Sequence, residues 1–253
     1  MRAPRRERPP GFAEGFLTPL AGLGLIFRVP GARKVLLFSI LGNLAAVVLL
    51  VGAGWFAWFT WGVSFLENLA GGWLGSLLVF GSGLLVAAVL LATAFLIFPV
   101  LVPVLSGPFH DPLARRIEAH LLGGPPPECP FSFLQGLLHD LSVTFKLLFL
   151  EILILAAAWI SSFFLGSGLL VGLLLGSWLT ALSWLDFPLA RRGLSFREER
   201  AWVRAHLAPS MGFGLAVVLS FMVPLYNLFL AGPAAAAGAS KLYIRVARAE
   251  GRP

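Results

Sequence analysis

Residues 35–66 read VLLFSILGNLAAVVLLVGAGWFAWFTWGVSFL, and this stretch contains no ionisable side chain. Lys34 comes directly before it and Glu67 directly after it. A helix needs about 20 apolar residues to cross the hydrocarbon core of a bilayer, and this stretch is longer than that. The sequence therefore predicts a membrane-spanning helix here.

Three further runs without a charged side chain or a histidine follow, at residues 68–109, 152–185 and 207–240. Over the whole chain 58% of the residues are hydrophobic and only 12% are charged, whereas about 25% are charged in a typical soluble domain. Strands of alternating apolar and polar residues are absent, which argues against a membrane barrel. The composition therefore predicts an all-α integral membrane protein.

The net charge of +7 comes from Lys and Arg residues that cluster at the ends of the apolar runs. This placement indicates topology signals and contacts with anionic lipid headgroups, and it does not favour nucleic acid as a partner. Cys129 is the only cysteine, which excludes an internal disulfide. The run after Lys34 is too long for a signal peptide, so we expect it to be retained.

The distribution of basic residues predicts the topology. The connection at residues 62–72 has no Lys or Arg and contains Glu67, so the positive-inside rule places it away from the cytoplasm. We therefore expect two crossings, at about residues 35–61 and 73–106. Four basic clusters flank the apolar runs and should face the cytoplasm: Arg28, Arg33 and Lys34; Arg115, Arg116 and Lys146; Arg191, Arg192, Arg197, Arg200 and Arg204; Lys241, Arg245, Arg248 and Arg252.

The last two runs begin and end at basic clusters, so a single crossing does not fit them. Each could form a re-entrant hairpin of two helices of about 15 residues, at about 147–185 and 207–240. Turn residues lie near both midpoints, at Gly166–Gly168 and at Pro224–Asn227. Six ordinary spans remain the alternative. We predict a single membrane domain over residues 1–253, with two long transmembrane helices plus two re-entrant (hemi-penetrating) helical hairpins.

Several polar and proline residues at the segment ends carry structural expectations. Three prolines should kink or end the cytoplasmic half of the second crossing: Pro99, Pro103 and Pro108. The four histidines should be interfacial polar residues: His110, His120, His139 and His206. Three acids should form solvated faces beside Arg115 and Arg116: Asp111, Glu118 and Asp140.

No nucleophile, metal-ligand or nucleotide motif is present in the sequence. In particular there is no Walker sequence, so the chain is not itself an ATP-driven motor. We therefore predict that the protein is not an enzyme and needs neither a cofactor nor a metal.

The segment Pro30-Gly31-Ala32-Arg33-Lys34 opens directly into the first apolar helix. The first backbone N–H groups of a helix lack partners within it and lie at the positive end of the helix dipole. Adding Arg33 and Lys34 to that end is unfavourable unless an anion is present, and with an anion it makes a binding site. Alternatively, the two side chains anchor the helix to lipid phosphates, and physics alone leaves both interpretations open.

Three polar residues lie within or beside the apolar runs. Glu151 comes five residues after Lys146, so it is either a functional intramembrane acid or half of an interfacial ion pair. Asn43 and Asn227 need hydrogen-bond partners in lipid, which another helix or an aqueous path could supply. These three residues are the candidates for a pore or transport path.

Short motifs follow one another in a distinctive order along nearly the whole chain. The first are Gly15 and residues 25–43 (LIFRVPGARKVLLFSILGN). The further motifs are residues 107–111 (GPFHD) with Leu113, Ala114, Ile117 and Glu118; residues 186–188 (DFP); residues 195–197 (SFR); Phe213 and Gly214; residues 223–227 (VPLYN); and Pro233 with residues 238–240 (GAS). In this order the motifs resemble the CysZ-type sulfate permease family.

This resemblance implies a homo-oligomeric protein of the bacterial inner membrane that takes up sulfate for cysteine synthesis without ATP hydrolysis. It also implies a fold with two long transmembrane helices and hemi-penetrating hairpins. In the family a Gly-x-Arg-Arg segment binds sulfate, and the matching segment here is Gly31, Ala32, Arg33 and Lys34. Lys34 departs from the pattern because it keeps the charge but lacks the bidentate fork of Arg. Ser39 and Leu165 stand where the family has proline.

Two functions of different classes follow from the sequence. The first is a multi-pass sulfate or oxyanion permease, passive or ion-coupled. The second is a non-transporting membrane scaffold whose basic helix ends bind anionic lipid. Flux of labelled sulfate through the purified protein distinguishes them.

Overall fold

The computed structural model describes residues 8–69, 72–127 and 133–251. Within these ranges the regular structure is helical throughout and contains no strand. This confirms the all-α prediction. The helices are α1 (Phe12–Arg28), α2 (Ala32–Ala57), α3 (Val63–Leu69), α4 (Gly72–Leu122), α5 (Phe133–Leu165), α6 (Gly168–Ala190), α7 (Phe196–Ala205), α8 (Leu207–Phe221), α9 (Pro224–Tyr226) and α10 (Gly232–Ala249).

Two segments widen into π-helix, at Trp58–Gly62 and Asn227–Ala231. The chain divides into two compact units: the first unit comprises Met1–Ser39 and Gly107–Pro253, and the second unit is Ile40–Ser106. The single membrane domain over residues 1–253 stays a prediction.

The core of the first unit forms where α1, α6, α8 and α10 pack together. Its buried apolar side chains come from α6, α7, α8 and α10, and Trp184 and Phe213 are the largest of them. Small residues from α10 fill the space between these larger side chains. The core residues are Ala181, Leu182, Trp184, Leu185, Leu189, Val203, Phe213, Val217, Ala235, Ala236, Ala239, Leu242 and Val246.

Glycine allows these helices to approach one another closely. A Cβ atom on Gly15 of α1 would overlap the carbonyl group of Pro209 in α8, and one on Gly214 of α8 would overlap the carbonyl oxygen of Ser177 in α6. Small residues at helix interfaces are typical of membrane proteins, because apolar burial gives little driving force between helices in lipid. The backbone of α8 is therefore held closely on two sides.

The second unit is built differently, from the apolar lengths of α2, α3 and α4 that fall within residues 40–106. Gly54 lies against the Leu90 side chain, and the rings of Trp55 and Phe59 stack with centroids 5.6 Å apart. Most large side chains are nevertheless exposed, such as Phe56 at 69% and Phe80 at 68%. Such a surface suits contact with lipid tails.

Four helical segments in the described parts of the chain are long and apolar enough to cross a membrane. They are Ala32–Leu66, Gly72–Leu90, Ser142–Phe163 and Gly168–Ala190. A fifth crossing would require α7 and α8 to count as one span, but these two helices meet at an angle of 102°. The first two segments overlap the predicted crossings at 35–61 and 73–106, which stay predictions.

The third apolar run folds back on itself as expected. Gly166 has a φ of +61° and separates α5 from α6, which confirms the turn predicted at Gly166–Gly168. The two helices have 33 and 23 residues, so the expected length of about 15 residues for each is wrong. Both helices continue beyond the apolar run, α5 at its start and α6 at its end. Whether this hairpin is re-entrant stays a prediction.

The fourth run also breaks near its midpoint, after a helix α8 of 15 residues. The break lies at Met222 and Val223, two residues earlier than predicted, and Pro224 already begins α9. Proline disfavours helix in the residue before it, while its own fixed φ suits the first position of a helix. The position of Val223 directly before Pro224 explains the shift.

Helix α4 is not ended by its three prolines, which corrects one of the two outcomes expected of them, and a kink stays a prediction. It continues as helix from Gly72 to Leu122, through the positions of Pro99, Pro103 and Pro108. Prolines are tolerated in membrane helices where neighbouring groups satisfy the backbone atoms that they free. The end of α4 therefore carries its charged residues, from Asp111 to Glu118, on the same helix as the crossing.

Candidate functional site

The candidate site is the turn between α1 and α2. Helix α1 ends at Arg28, Val29 is extended, and Gly31 has a φ of +77°, a conformation that side chains with a Cβ rarely adopt. Ala32 then starts α2 with no exposed surface, so the helix begins against protein. The turn thus fixes the direction in which the N-terminus of α2 points.

The first turn of α2 presents free backbone donors. The N–H of Ala32 reaches the carbonyl of Val29 at 3.2 Å. Among the described residues, the N–H groups of Arg33, Lys34 and Val35 have no backbone acceptor outside the helix. Such donors, together with the positive end of the helix dipole, favour an anion. Anion binding by this segment stays a prediction.

Arg33 is exposed but its guanidinium already has a partner. Its Nε and Nη2 atoms donate to the carbonyl oxygen of Phe27, at 3.0 Å and 2.5 Å. Phe27 lies in the last turn of α1, where carbonyl groups lack partners and a cation is favourable. Arg33 therefore joins the end of α1 to the start of α2. Lys34 beside it is also exposed.

Arg116 of α4 adds a third cation to the turn. Its Nη1 atom donates to the carbonyl oxygen of Gly31 at 2.5 Å, and its side chain remains exposed. The sequence placed Arg116 only within a general basic cluster, so its contact with Gly31 was missed. The fold brings it from 85 residues away.

Helix geometry explains why Arg116 points toward the turn. Asp111 and Glu118 are seven residues apart, so they lie on one face of α4, whereas Arg116 lies almost opposite Glu118. Arg191, at the end of α6, binds both acids, Asp111 at 2.5 Å and Glu118 at 3.2 Å. Arg192 lies 3.5 Å from Glu118 as well. These ion pairs attach one face of α4 to α6 and leave the other face for Gly31.

These ion pairs correct the expectation of solvated acidic faces. The Glu118 side chain has no exposed surface and the Arg191 side chain is only 3% exposed. Asp111 is half-buried and also pairs with Arg115, at 2.9 Å. Sequence spacing shows only neighbours on the same helix, so it could not reveal the arginines from α6. The side chain of Asp140 lies outside the described residues.

Further positive charge lies near the end of α1. Burial, followed by the neighbouring guanidinium groups of Arg245 and Arg28, lowers the pKa of Lys241. Arg245 in turn pairs with Glu14 at 3.0 Å, and the pKa of Glu14 is lowered by the Gly11 backbone N–H and then by Arg245. The proximity of these cations favours binding of an anion over binding of a cation.

Among the described residues, neither Glu151 nor Asn227 forms a hydrogen bond or an ion pair with this turn. Glu151 is half-buried in α5, and Lys146 lies over the Phe196 ring instead of pairing with it. Asn227 is 4% exposed, begins the second π-helical segment, and its Oδ1 atom has no hydrogen-bond partner among the described residues. The side chain of Asn43 lies outside the described residues, and its assigned role stays a prediction.

His110 differs from the expected interfacial histidine. It has no exposed surface, its ring centroid lies 5.4 Å from that of Trp184, and neither ring nitrogen has a hydrogen-bond partner among the described residues. Burial lowers the pKa of His110 to about 3, so the imidazole is neutral. Its place at the end of an apolar run gave no indication that Trp184 and Gly232 would enclose it.

Comparison with known proteins shows similarity along most of the chain. A family model described as "Sulfate transporter CysZ/Etoposide-induced protein 2.4" matches residues 18–231. A protein named sulfate transporter CysZ from Pseudomonas paraeruginosa is 30% identical over 229 residues, which cover 88% of this chain and 92% of the relative. Proteins of the same name from Vibrio cholerae and Salmonella paratyphi A are 28% and 27% identical, over 85% and 88% of this chain and 87% and 88% of those relatives. The chain belongs to the sulfate transporter CysZ/etoposide-induced protein 2.4 family.

Proposed function

We propose that the protein carries sulfate across the bacterial inner membrane for cysteine synthesis, without hydrolysing ATP, and that it binds the anion at the start of α2. The observation that carries this proposal is the turn at Gly31. Free N–H groups of α2 occur there together with three cationic side chains, Arg33, Lys34 and Arg116. Sulfate is the proposed substrate because the relatives are named sulfate transporters.

The family consists of transport proteins and not of enzymes, as the sequence predicted. The bacterial relatives and the four apolar helices also agree with the prediction of a multi-pass protein of the inner membrane. Homo-oligomeric assembly, re-entrant hairpins and a path through Asn43, Glu151 and Asn227 belong to the proposal. The charge and length of the apolar runs and the family resemblance support them.

The contacts of Arg33 bear on how tightly the site would hold sulfate. Its guanidinium already uses Nε and one N–H of Nη2 on Phe27, which leaves three of its five N–H groups for an oxyanion. An oxyanion that bound the Nε edge would replace the bonds to Phe27, so the net gain there is smaller than for a free side chain. A site on a transport path must also release its ion. We therefore expect modest affinity.

Replacing Arg33 and Lys34 together with Ala should reduce sulfate binding by the purified protein at least tenfold, since each charge-assisted hydrogen bond contributes about 1.5–3 kcal/mol. Binding of radiolabelled sulfate and its uptake into proteoliposomes are the two measurements. Arg33→Lys, which keeps the charge without the fork, should fall between the wild type and the double variant. Arg197→Ala, an exposed cation on α7, is the control and should match the wild type.

Three outcomes separate the parts of this proposal. Unchanged binding in the double variant would exclude the start of α2 as the sulfate site. Lost binding with unchanged uptake would place that site off the transport path. No uptake by the wild-type protein, combined with retention that follows anionic lipid content, would favour the scaffold.

A further inference from the structure

A groove between α5 and α7 shares no lining residue with the proposed sulfate site. It encloses about 500 Å³ and is lined by Phe145, Lys146, Phe149, Leu150, Phe196 and Arg200. All but two of these side chains are apolar. The groove therefore combines a hydrophobic wall with two cations.

The wall of the groove belongs to a membrane span. Phe145 and Phe149 are 63% and 62% exposed, one turn apart on the apolar helix segment Ser142–Phe163. Exposed rings on such a segment are favourable in contact with acyl chains. Helix α7 is polar in comparison and meets α8 at 102°, which is typical of a helix that lies along the membrane surface. The groove thus occurs where hydrocarbon meets headgroups.

The two cations flank the same ring. The Nζ atom of Lys146 lies 5.4 Å from the centre of the Phe196 ring, and the Arg200 guanidinium lies 5.9 Å from it. The Lys146 side chain is exposed and that of Arg200 is half-buried, and both line the groove. The Nε atom of Arg200 is shielded from solvent and has no hydrogen-bond partner among the described residues. The ammonium group of Lys146 and the other N–H groups of the Arg200 guanidinium can donate hydrogen bonds to an anionic group.

Nearby acids do not cancel this charge. Glu199 of α7 is buried, and burial, followed by the adjacent Asp186 carboxylate, raises the pKa of Glu199 to about 9 although Lys146 acts in the opposite direction. At neutral pH the Glu199 carboxyl group is therefore protonated. Glu198 is exposed and accepts hydrogen bonds from the Ser195 backbone and side chain, both at 2.7 Å. Asp186 and Glu198 keep their negative charges, and the Glu198 carboxylate is engaged by Ser195.

We propose that this groove binds an anionic phospholipid, with its phosphate between Lys146 and Arg200 and an acyl chain along Phe145 and Phe149. A free oxyanion would satisfy the cations but would leave the aromatic wall unused. A zwitterionic lipid would cover the wall but would bring a positive group beside the two cations. An anionic lipid matches both parts of the groove, and it would hold α7 against the end of α5.

The test uses the full-length protein in detergent, titrated with dioleoylphosphatidylglycerol and followed by native mass spectrometry. A basic residue near a lipid phosphate contributes a factor of about five to binding, so the double variant Lys146→Gln/Arg200→Gln should bind this lipid about 25-fold more weakly. The matched control, Arg197→Gln/Arg204→Gln, removes two exposed cations of the same helix that do not line the groove. It should bind like the wild type.

Equal loss in both double variants would overturn the proposal, because the effect would then come from net charge. Equal binding of dioleoylphosphatidylcholine, or displacement of the lipid by millimolar inorganic phosphate, would also overturn it. A second measurement needs only the wild-type protein: a phosphatidylglycerol with a photoreactive acyl chain should label the peptide that contains residues 145–150. Absence of labelling there would exclude the site even if a variant failed to fold. Sulfate uptake through the start of α2 does not depend on either result.

Discussion

The two units of the chain bury their residues to very different degrees. In the first unit every residue from Gly232 to Ser240 in α10 is buried, and glycines allow neighbouring backbones to touch. In the second unit, every described side chain between residues 40 and 90 is exposed or half-buried, apart from Gly75. The two units nevertheless share an apolar composition, so hydropathy alone does not distinguish them.

This difference indicates what each unit depends on. The first unit is stabilised by contacts within the chain: small residues, a buried ion-pair cluster and aromatic rings around Trp184. The described side chains of the second unit offer their apolar surface to lipid or to another protein surface. Substitutions at the buried contacts should therefore lower the free energy of unfolding, whereas similar changes on exposed faces should not.

The largest effect is expected from Glu118→Ala, which removes one carboxylate from the buried cluster. Arg191, with a 3% exposed side chain, would keep Asp111 but lose its second partner. Breaking a buried ion pair costs about 3–5 kcal/mol, so the free energy of unfolding in mixed micelles should fall by that amount.

Glu14→Ala is the control for this change, since it breaks an exposed pair with Arg245. Exposed ion pairs contribute little to stability because water and salt screen them. Equal destabilisation by the two variants would contradict the view that burial makes the Glu118 cluster important.

A smaller effect is expected from Gly214→Ala, which adds one methyl group between α8 and α6. The new Cβ would overlap the carbonyl oxygen of Ser177, a backbone atom that can move only with its helix. Overpacking of this kind costs about 1–3 kcal/mol in the free energy of unfolding. Chemical unfolding in micelles followed by circular dichroism measures it.

Gly81→Ala makes the same chemical change in the second unit, where, apart from its own helix backbone, no atom of the described residues lies within 4 Å of the added Cβ. Replacing a helical glycine in open space should stabilise the protein by up to about 1 kcal/mol. The two glycines should thus respond with opposite signs. A loss of stability in both would show that the second unit is also closely packed at this face.

Much of the helical fold follows from the sequence because the bilayer imposes it. Long uncharged runs are typical of membrane helices, and the basic clusters at both ends of the third run, together with Gly166–Gly168, predicted the break between α5 and α6. Helix ends were less predictable. Polar residues extended α5 beyond its apolar run, and three prolines failed to end α4, because tertiary surroundings decide both matters.

The candidate site was predictable only in its local part. Gly31, Arg33 and Lys34 are adjacent in sequence, so their combination with a helix start could be inferred directly. Arg116 could not, because its hydrogen bond to Gly31 depends on how Arg191 attaches the opposite face of α4 to α6. Periodicity assigns Glu118 and Arg116 to different faces, but it does not say what each face contacts.

The smallest effect concerns His110, which lies beyond the predicted second crossing. Its pKa is about 3 in the folded protein because of burial, against about 6.5 in an unfolded chain. At pH 5.5 the unfolded state therefore binds a proton that the folded state does not. Stability should fall by about 1 kcal/mol between pH 7 and pH 5.5, and His110→Phe should remove this fall.

Two comparisons isolate the contribution of His110. Glu199, whose pKa is raised, stabilises the fold at low pH and loses that effect as the pH rises, so the measured quantity is the difference between wild type and variant. His110→Gln removes the titration but keeps a buried polar group, so it should abolish the pH dependence without the gain in stability expected for Phe. A wild-type pH dependence equal to that of His110→Phe would mean that the imidazole meets water or a polar partner, and that this end of α4 is less closely packed than the rest of the first unit.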